Sequence, residues 1–307
     1  MILPDLKLYR QEFADKGIDY PLPVSPAAAG GLLAQLPKAA GNGWPFDSET
    51  GPNVYSKDID WPKITIVTPS YNQAAYLEKT IRSVLLQNYP NLEYIIIDGD
   101  STDESEAIIK KYSPWLSYWQ SKPDRGQSHA INMGFSLASG DYYAWINSDD
   151  YYLEGVFNLV ATTFNGSKKP AFVYGYAYDL DESEKLSLIK VAPFPDYFIK
   201  IPTLAQPSCF WRASIHQPIW EEMHCALDYE LWLRLVKGHK RSRLKQPLSV
   251  AHVHQNAKTT NPTMAAKWQE DHVKMWAADA HGPVHEWKRI SFLNRIRMKL
   301  YHLLKII

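Results

Sequence analysis

Two adjacent carboxylates, Asp149 and Asp150, end the tetrapeptide Asn147-Ser148-Asp149-Asp150, which directly follows an aromatic run at residues 142–146. Like charges at the exit of a half-buried strand repel each other, and burial increases the cost. A divalent cation removes that cost, and oxygen ligands suit Mg²⁺ or Mn²⁺. The tetrapeptide by itself favours a simple turn, because Asn, Ser and Asp are turn formers. A metal site is therefore a hypothesis that depends on the surrounding elements.

Polar clusters also follow two earlier strands that the sequence predicts. Residues 64–67 and 94–97 are short β-branched runs typical of buried strands. They end at residues 69–72 and 98–100, and helical spacing of apolar residues follows each cluster. Alternating strands and helices predict a parallel sheet with right-handed crossovers, in which ligands bind beyond the carboxyl ends of the strands. We therefore expect the three polar clusters to lie together.

The side chains in these clusters suit a nucleoside diphosphate. A planar base can stack on Tyr71, and the Asp98 carboxylate can accept a hydrogen bond from the base. The Arg125 guanidinium can pair with a phosphate, and the acidic pair with a metal can hold a pyrophosphate. The sequence has no Walker loop and no Rossmann glycine fingerprint. A metal would therefore replace the usual cradle of backbone amides.

The remaining patterns predict local elements. Asn72 is expected to cap the helix after the first strand, and a capping box at residues 101–104 opens the next helix. The Pro- and Gly-rich residues 1–62 are expected to be extended, with one short helix. The further expected elements are that short helix at residues 27–36, a hairpin of residues 172–178 and 186–191, a strand at 208–212 and a helix at 228–235.

Composition excludes several classes of protein. The 307 residues are 45% apolar and 21% charged, which is ordinary for a folded soluble chain. Formal net charge is zero, so no general attraction to nucleic acid is expected. Cys209 and Cys225 form no spaced metal motif, and a reducing cytoplasmic setting is the default expectation. The first 20 residues have no apolar core of a signal peptide, and no apolar run approaches the length of a membrane span, about 20 residues.

The order of six motifs resembles that of a family 2 glycosyltransferase with the GT-A fold. The motifs occupy residues 67–72, 97–103, 123–134, 147–150, 206–212 and 228–234. The resemblance extends from Lys63 to Thr259, roughly two-thirds of the chain. It implies an α/β fold with a Rossmann-like, mostly parallel sheet flanked by helices, an α+β acceptor-side region and a helical C-terminal tail.

The resemblance implies a role for each matching residue. Pro69 and Tyr71 would line the nucleotide base, and Asp98 would contact the edge of that base. The other residues that would contact the nucleotide sugar are Asp124, Arg125 and Asp149. The residues that would hold the metal, Mn²⁺ or Mg²⁺, are Asp149, Asp150 and His254.

Asp228 stands where the family places its general base. It would take the proton from an acceptor hydroxyl as that oxygen attacks the anomeric carbon, with inversion of configuration. The family often has two acids here, but Leu227 precedes Asp228, and Glu230 lies on another helix face. Asp228 is therefore favoured, although the helix dipole alone also favours a carboxylate at this position. Asn147 likewise replaces an Asp that is frequent in the family.

Gln206 and Trp211 are the candidate contacts for the acceptor. Aromatic faces suit sugar rings, but core packing is the favoured interpretation of Trp211. The sequence is equally compatible with His254 as a metal or diphosphate contact and as a surface histidine in an extended segment. His129, in a predicted helix, is expected to be structural.

The end of the chain is basic and apolar. Between residues 285 and 307 there are six Lys or Arg residues and one acidic residue, Glu286, interleaved with apolar residues at near-helical spacing. A basic amphipathic helix indicates contact with a membrane surface. The alternative is a helix that packs on the domain with its basic face in water.

The sequence therefore predicts an inverting, metal-dependent glycosyltransferase that acts on a glycan or lipid-linked glycan in cell-surface polysaccharide biosynthesis. We expect it in the cytoplasm, with the tail as a candidate contact to the inner face of the cell membrane. Four regions are expected, namely a Pro/Gly-rich extension (1–62), a nucleotide-sugar-binding half (63–165), an acceptor-binding and catalytic-base half (166–259) and a basic helical tail (260–307). The alternatives are a nucleotidyltransferase-like enzyme and a non-catalytic carbohydrate-binding protein derived from a transferase.

Overall fold

A computed structural model describes residues 1–201, 204–255, 257–278 and 284–307, without the side chains of residues 284 and 285. The predicted regions 166–259 and 260–307 thus each include a few residues outside the described ones. The helices in the described residues are α1 (Leu6–Asp15), α2 (Ala74–Leu85), α3 (Ser105–Tyr112), α4 (Gln127–Leu137), α5 (Val156–Asn165), α6 (Leu227–Leu235), α7 (Ala265–Ala277) and α8 (Val284–Leu303). The strands are β1 (Ile64–Ser70), β2 (Leu92–Asp98), β3 (Tyr118–Ser121), β4 (Tyr142–Trp145), β5 (Tyr151–Tyr152), β6 (Phe172–Asp181), β7 (Leu186–Ile189), β8 (Cys209–Arg212) and β9 (Arg241–Val253).

One mixed sheet runs through both predicted halves of the protein. Its strand order is β3-β2-β1-β4-β8-β6-β9-β5, and β7 pairs with the outer part of β6. The first four strands are mutually parallel, which confirms the α/β prediction, and β8 is antiparallel to both of its neighbours. Ser70 is paired with Asp98, and Val67 with Trp145. This register brings the ends of β1, β2 and β4 to one edge, as the sequence predicts.

The core lies between this sheet and the helices that cover it. Every residue of β1, β2 and β4 is buried, which explains their continuous apolar runs. α4 packs directly on β1 and β2, and α1 packs on α4. The close approach of α4 requires Gly134, because a Cβ atom there would lie 2.4 Å from Cγ1 of Val67.

Several elements depart from the sequence predictions. Residues 27–36 form turns, not a helix, and residues 1–62 instead contain α1, which buries only Phe13 and so has a weak apolar pattern. β9 was not predicted because its first half is charged and only partly buried, and its pairing with β6 is irregular around Pro247. α2 begins at Ala74 without a cap from Asn72. The hairpin, β8 and α6 lie where the sequence predicted them.

The C-terminal helices lie at the surface, and the exposed positions of α8 carry both apolar and basic side chains. Within the residues that the structure describes, no helix combines the length and the apolar character needed to cross a membrane. α8 buries Ile290 and directs Arg297 inward, where its guanidinium lies 4.2 Å from the ring centroid of Phe198. The opposite face of α8 is open to solvent.

We predict that Gly134→Ala destabilises the protein although alanine normally favours helices. The added methyl group would overlap Val67, and overpacking of a core costs about 1–3 kcal/mol. Gly51→Ala is the matched control, because no atom lies within 4 Å of a Cβ added there. Chemical denaturation should show a lower midpoint for Gly134→Ala only. Equal midpoints for the two variants would contradict the close packing of α4 on β1.

Candidate functional site

The loops after β1 and β2 are joined into one rigid unit. Asn72 and Asp100 adopt positive φ angles of 52° and 66°. The Asn72 side-chain oxygen accepts a hydrogen bond from the Thr102 N–H at 2.8 Å, and Asp103 accepts one from the Ala74 N–H at 2.9 Å. Asp103 thus caps α2 in place of Asn72. Tyr71 projects from this unit with 60% of its surface exposed, so its ring is free to stack on a planar ligand.

Asp98 is fully buried at the end of β2. Its carboxylate accepts hydrogen bonds from the Ser101 N–H at 2.9 Å, the Ser101 hydroxyl at 2.6 Å and the Ser121 hydroxyl at 2.7 Å. These bonds fix the loop that lies beneath Tyr71. The contact of Asp98 with a base edge stays a prediction, and it would require the surrounding residues to move because the carboxylate is fully buried. Pro69, also buried, is the β1 partner of Ile97.

Asp124 lies against the same loop. Its Oδ2 would be 3.0 Å from a Cβ atom on Gly99, so a glycine permits this approach. The Gly126 N–H donates to Asp124 Oδ1 at 2.6 Å. Burial raises the pKa of the Asp124 carboxyl, and that hydrogen bond partly opposes the rise. Asp124 therefore packs against the loop that follows β2.

Arg125 is held by residues from two distant parts of the chain. Its Nη2 donates to Glu221 Oε2 at 2.8 Å and to the Tyr9 hydroxyl at 2.6 Å. The guanidinium side chain is 61% exposed, and exposed ion pairs contribute only about 0–1 kcal/mol. A phosphate could therefore compete for Arg125 at low cost.

The two adjacent acids turn in opposite directions. Asp150 is 5% exposed, and its Oδ1 accepts a hydrogen bond from the His252 N–H at 3.1 Å. Its Oδ2 accepts one from the Asn147 amide at 3.2 Å. Burial, followed by the charge of Asp149, raises the pKa of Asp150 well above its usual value. An aspartate in place of Asn147 would add a third negative charge and lose this donor.

Asp149 faces the open side of the site. Its Oδ2 lies 3.2 Å from His254 Nε2, and the His254 ring stacks on Tyr76 with centroids 4.8 Å apart. The His252 ring contacts the Asp149 backbone carbonyl. β9 and the residue after it thus supply both histidines to the acidic pair. This placement is compatible with His254 as a ligand contact, which the sequence left open.

The Asp149–His254 pair fits one side of a small divalent cation. No group of three or more His, Cys, Asp or Glu side chains in the described parts of the chain is arranged to hold a metal. Two neighbouring ligands of an octahedral Mg²⁺ or Mn²⁺ lie about 3 Å apart, close to the observed 3.2 Å. Such ions commonly take one or two protein ligands and complete their shell with phosphate and water. Asp150 as a ligand stays a prediction, because its carboxylate would have to leave its present partners.

Asp228 is the acid of α6 that remains available. Glu230 is fully buried and forms a two-point ion pair with Arg234 at 2.6 and 2.7 Å. Asp228 lies in the first turn and keeps partial solvent exposure. Burial raises the pKa of Asp228, and the charge of Lys258 opposes the rise. A raised pKa suits a carboxylate that must accept a proton.

Two residues that the sequence analysis missed support this helix. The buried Asp271 carboxylate, on α7, accepts hydrogen bonds from the N–H groups of His224, Cys225 and Ala226 at 3.0, 2.6 and 2.9 Å. Lys258 Nζ donates to the His224 carbonyl at 2.7 Å. Both act on backbone groups, so no side-chain pattern signals them in the sequence.

The prediction that Trp211 binds the acceptor is wrong. Trp211 is fully buried, because β8 is a central strand between β4 and β6, and the indole packs among Trp145, Trp232 and His216. Its aromatic face cannot reach a sugar. This agrees with the core packing that the sequence analysis favoured.

Gln206 supports the acidic tetrapeptide. Its amide donates to the Trp145 carbonyl at 2.9 Å, and its oxygen accepts from Asn147 at 3.3 Å. His129 accepts the Arg125 N–H at 3.2 Å within a buried helix, which agrees with the expected structural role. Gln206 as an acceptor contact stays a prediction.

Comparison with known proteins is consistent with this geometry. Residues 65–208 match the sequence profile described as "Glycosyl transferase family 2". An uncharacterized glycosyltransferase of Rickettsia typhi is 28% identical over 245 residues, which span 73% of this chain and 72% of the relative. These matches include all three strand ends of the site and favour sugar transfer over the nucleotidyltransferase alternative.

Solved structures share the fold at low identity. S. aureus TarS superposes with a TM-score of 0.57 and 18% identity, over 76% of this chain and 43% of TarS. The mannosyltransferase PcManGT from Pyrobaculum calidifontis, determined with GDP-Man and Mn²⁺, gives a TM-score of 0.52 and 13% identity, over 88% of this chain and 72% of that protein. A structure of TarS residues 1-349 contains UDP-GlcNAc, with a TM-score of 0.54 and 16% identity over 69% of this chain and 66% of that one.

Proposed function

We propose that the chain is a family 2 glycosyltransferase and that it is an inverting, metal-dependent enzyme of cell-surface polysaccharide synthesis. It transfers a sugar from a nucleotide donor to a hydroxyl of a glycan or lipid-linked glycan. The observation that carries the proposal is the close approach of Asp149 Oδ2 to His254 Nε2, on the same sheet edge as an exposed Tyr71. Asp228, whose pKa is sensitive to the nearby Lys258, completes the set.

The donor half comprises residues 63–165. Tyr71 stacks on the base above the loop that Asp98 holds, and Asp124 and Arg125 contact the ribose or phosphates. The UDP-GlcNAc and GDP-Man complexes of the structural neighbours support a nucleotide-sugar donor without selecting the base. Arg125 reaches a phosphate by leaving its exposed partners Glu221 and Tyr9.

Asp149 and His254 are the residues that would hold the divalent metal together with the donor. When bound, Mn²⁺ or Mg²⁺ supplies a Lewis acid for the departing nucleoside diphosphate. Asp150 orders this arrangement by binding the backbone of His252, next to His254 in the same extended segment. Residues 166–259 supply the acceptor side and the base.

Asp228 performs the proton transfer. The acceptor oxygen forms a bond to the anomeric carbon as the bond to the diphosphate oxygen breaks, and the hydroxyl proton passes to the Asp228 carboxylate. One such displacement inverts the anomeric centre. Asp271 fixes the position of this carboxylate through the backbone that precedes it.

We propose further that the protein acts at the inner, cytoplasmic face of the membrane through α8. The exposed apolar residues of this helix are Phe292, Ile296, Leu300 and Leu303, with exposures of 57%, 43%, 50% and 78%. The exposed basic residues along the same helix are Lys288, Arg289, Arg295 and Lys299. Apolar side chains flanked by positive charge suit an anionic lipid surface.

The donor and metal proposal predicts ligand-dependent stability. UDP- or GDP-sugars with Mn²⁺ should raise the melting temperature, since a ligand at about 100 times its Kd adds about 2.7 kcal/mol. Asp149→Asn and His254→Ala should each remove most of the Mn²⁺-dependent part of the shift. Asp58→Asn, at an exposed carboxylate outside the site, is the control. An unchanged Mn²⁺ effect in both site variants would exclude this pair as the metal site.

The base proposal predicts a selective loss of turnover. Asp228→Asn should reduce kcat by at least about 100-fold and leave donor affinity within about twofold. Because burial raises the pKa of Asp228, wild-type kcat/KM should fall as pH is lowered through that raised value. Product formation across pH measures both effects, and Glu222→Gln, at an exposed neighbouring acid, should keep wild-type rates. Wild-type turnover in Asp228→Asn would refute the assignment.

The membrane proposal predicts a loss of vesicle binding when the apolar face of α8 is charged. Phe292→Glu with Ile296→Glu should weaken co-sedimentation with phosphatidylglycerol vesicles more than about tenfold, because each side chain contributes about 1.5–3 kcal/mol when buried. Leu186→Glu with Leu188→Glu, at exposed positions of β7, is the matched control. Equal binding of both double variants would argue against α8 as the contact.

A further inference from the structure

Lys258 connects α4 to the segment before α6, and its side chain has no anionic hydrogen-bond partner among the described residues. Its Nζ donates to Gln127 Oε1 at 2.6 Å and to the His224 carbonyl at 2.7 Å, and both acceptors are neutral. None of the ion pairs among the described residues includes Lys258. An ammonium group has three N–H donors, so one donor is left over.

The surroundings of Lys258 make this charge costly. Burial lowers the pKa of Lys258, and the nearby groups that oppose the fall include Cys225, Asp271 and Asp149. A partly buried ammonium with neutral partners is stabilised by an added anion, because part of its desolvation cost has already been met in the folded protein. The Lys258 ammonium group is therefore available to bind an anionic ligand.

The position of Lys258 selects the ligand. Gln127, its hydrogen-bond partner, donates to Asn147 at 2.8 Å and so links Lys258 to the acidic tetrapeptide. Lys258 is close enough to both Asp149 and Asp228 to affect their electrostatics. An anion that occupies the space between the metal pair and the base would meet its free donor.

We propose that Lys258 binds the diphosphate of the donor and neutralises the charge that develops on it as the sugar leaves. The inference rests on the proposed function, which brings a diphosphate to this place. Gln127 and the His224 carbonyl hold the side chain in position before the donor arrives. Lys258 thus contributes a fixed charge from the acceptor half, whereas Arg125 approaches from the donor half.

The test compares the binding of a nucleoside, its monophosphate and its diphosphate, which carry increasing negative charge. Calorimetric affinities of uridine, UMP and UDP, and of guanosine, GMP and GDP in parallel, are measured with Mn²⁺ and with EDTA. In Lys258→Met and Lys258→Gln, affinity for the diphosphate should fall about 10- to 100-fold, the value of one charge-assisted hydrogen bond, while nucleoside affinity is unchanged. Lys258→Arg should retain at least half of the increase in the logarithm of affinity between the nucleoside and the diphosphate.

Lys168→Met is the matched control, because it removes the same charge from an exposed position after α5, outside the site. This variant should bind each nucleoside and nucleotide with the same affinity as the wild type. Lys258→Gln keeps a polar side chain near Gln127 and replaces Lys258→Met if the latter unfolds.

Three outcomes are decisive. If wild type gains affinity with each phosphate and the neutral variants lose only the diphosphate gain, the inference stands. If wild type shows that gain and the neutral variants keep it, Lys258 does not bind the diphosphate, and a shifted pH profile of transfer would assign it to Asp228 instead. If wild type binds no nucleotide, the proposed function itself fails.

Discussion

The repulsion between Asp149 and Asp150 is the constraint around which the site is built. The chain resolves it by turning the two carboxylates apart, with Asp150 bonded to the His252 N–H and Asn147, and Asp149 facing His254. Both histidines come from one extended segment that pairs with β6 and β5. The acidic pair follows β4, in the first half of the sheet. Its histidine partners come from the second half, so both halves are needed to form the site.

Much of the donor half could be predicted from sequence, because its determinants are local. The buried runs of β1 and β2 and the polar residues at their ends follow from residue type and spacing alone. The acidic tetrapeptide was recognisable for the same reason. The different partners of Asp149 and Asp150 could not be predicted, because they are His254 and His252, more than a hundred residues away in the chain.

The acceptor half was predicted less well for definite reasons. Aromatic character alone does not tell a sugar platform from a core residue, and Trp211 lies in the core because β8 is enclosed by two strands. β9 has charged, only partly buried residues over its first half, so it lacks the alternation of a strand. Asp271 and Lys258 bind backbone and neutral amide groups, which leave no paired pattern in the sequence.

The hydrogen bonds that Asp271 accepts show that the candidate site depends on helices beyond the region that matches the family profile. The family profile ends at residue 208, yet α6 and its acid begin at Leu227, and the carboxylate that anchors the preceding backbone lies on α7. A fragment that ended at residue 208 would keep Tyr71, Asp98 and Asp149 but lose both Asp228 and its support from Asp271. A chimera that takes α6 from a relative would therefore also need α7 from the same relative, because the two helices are joined through Asp271.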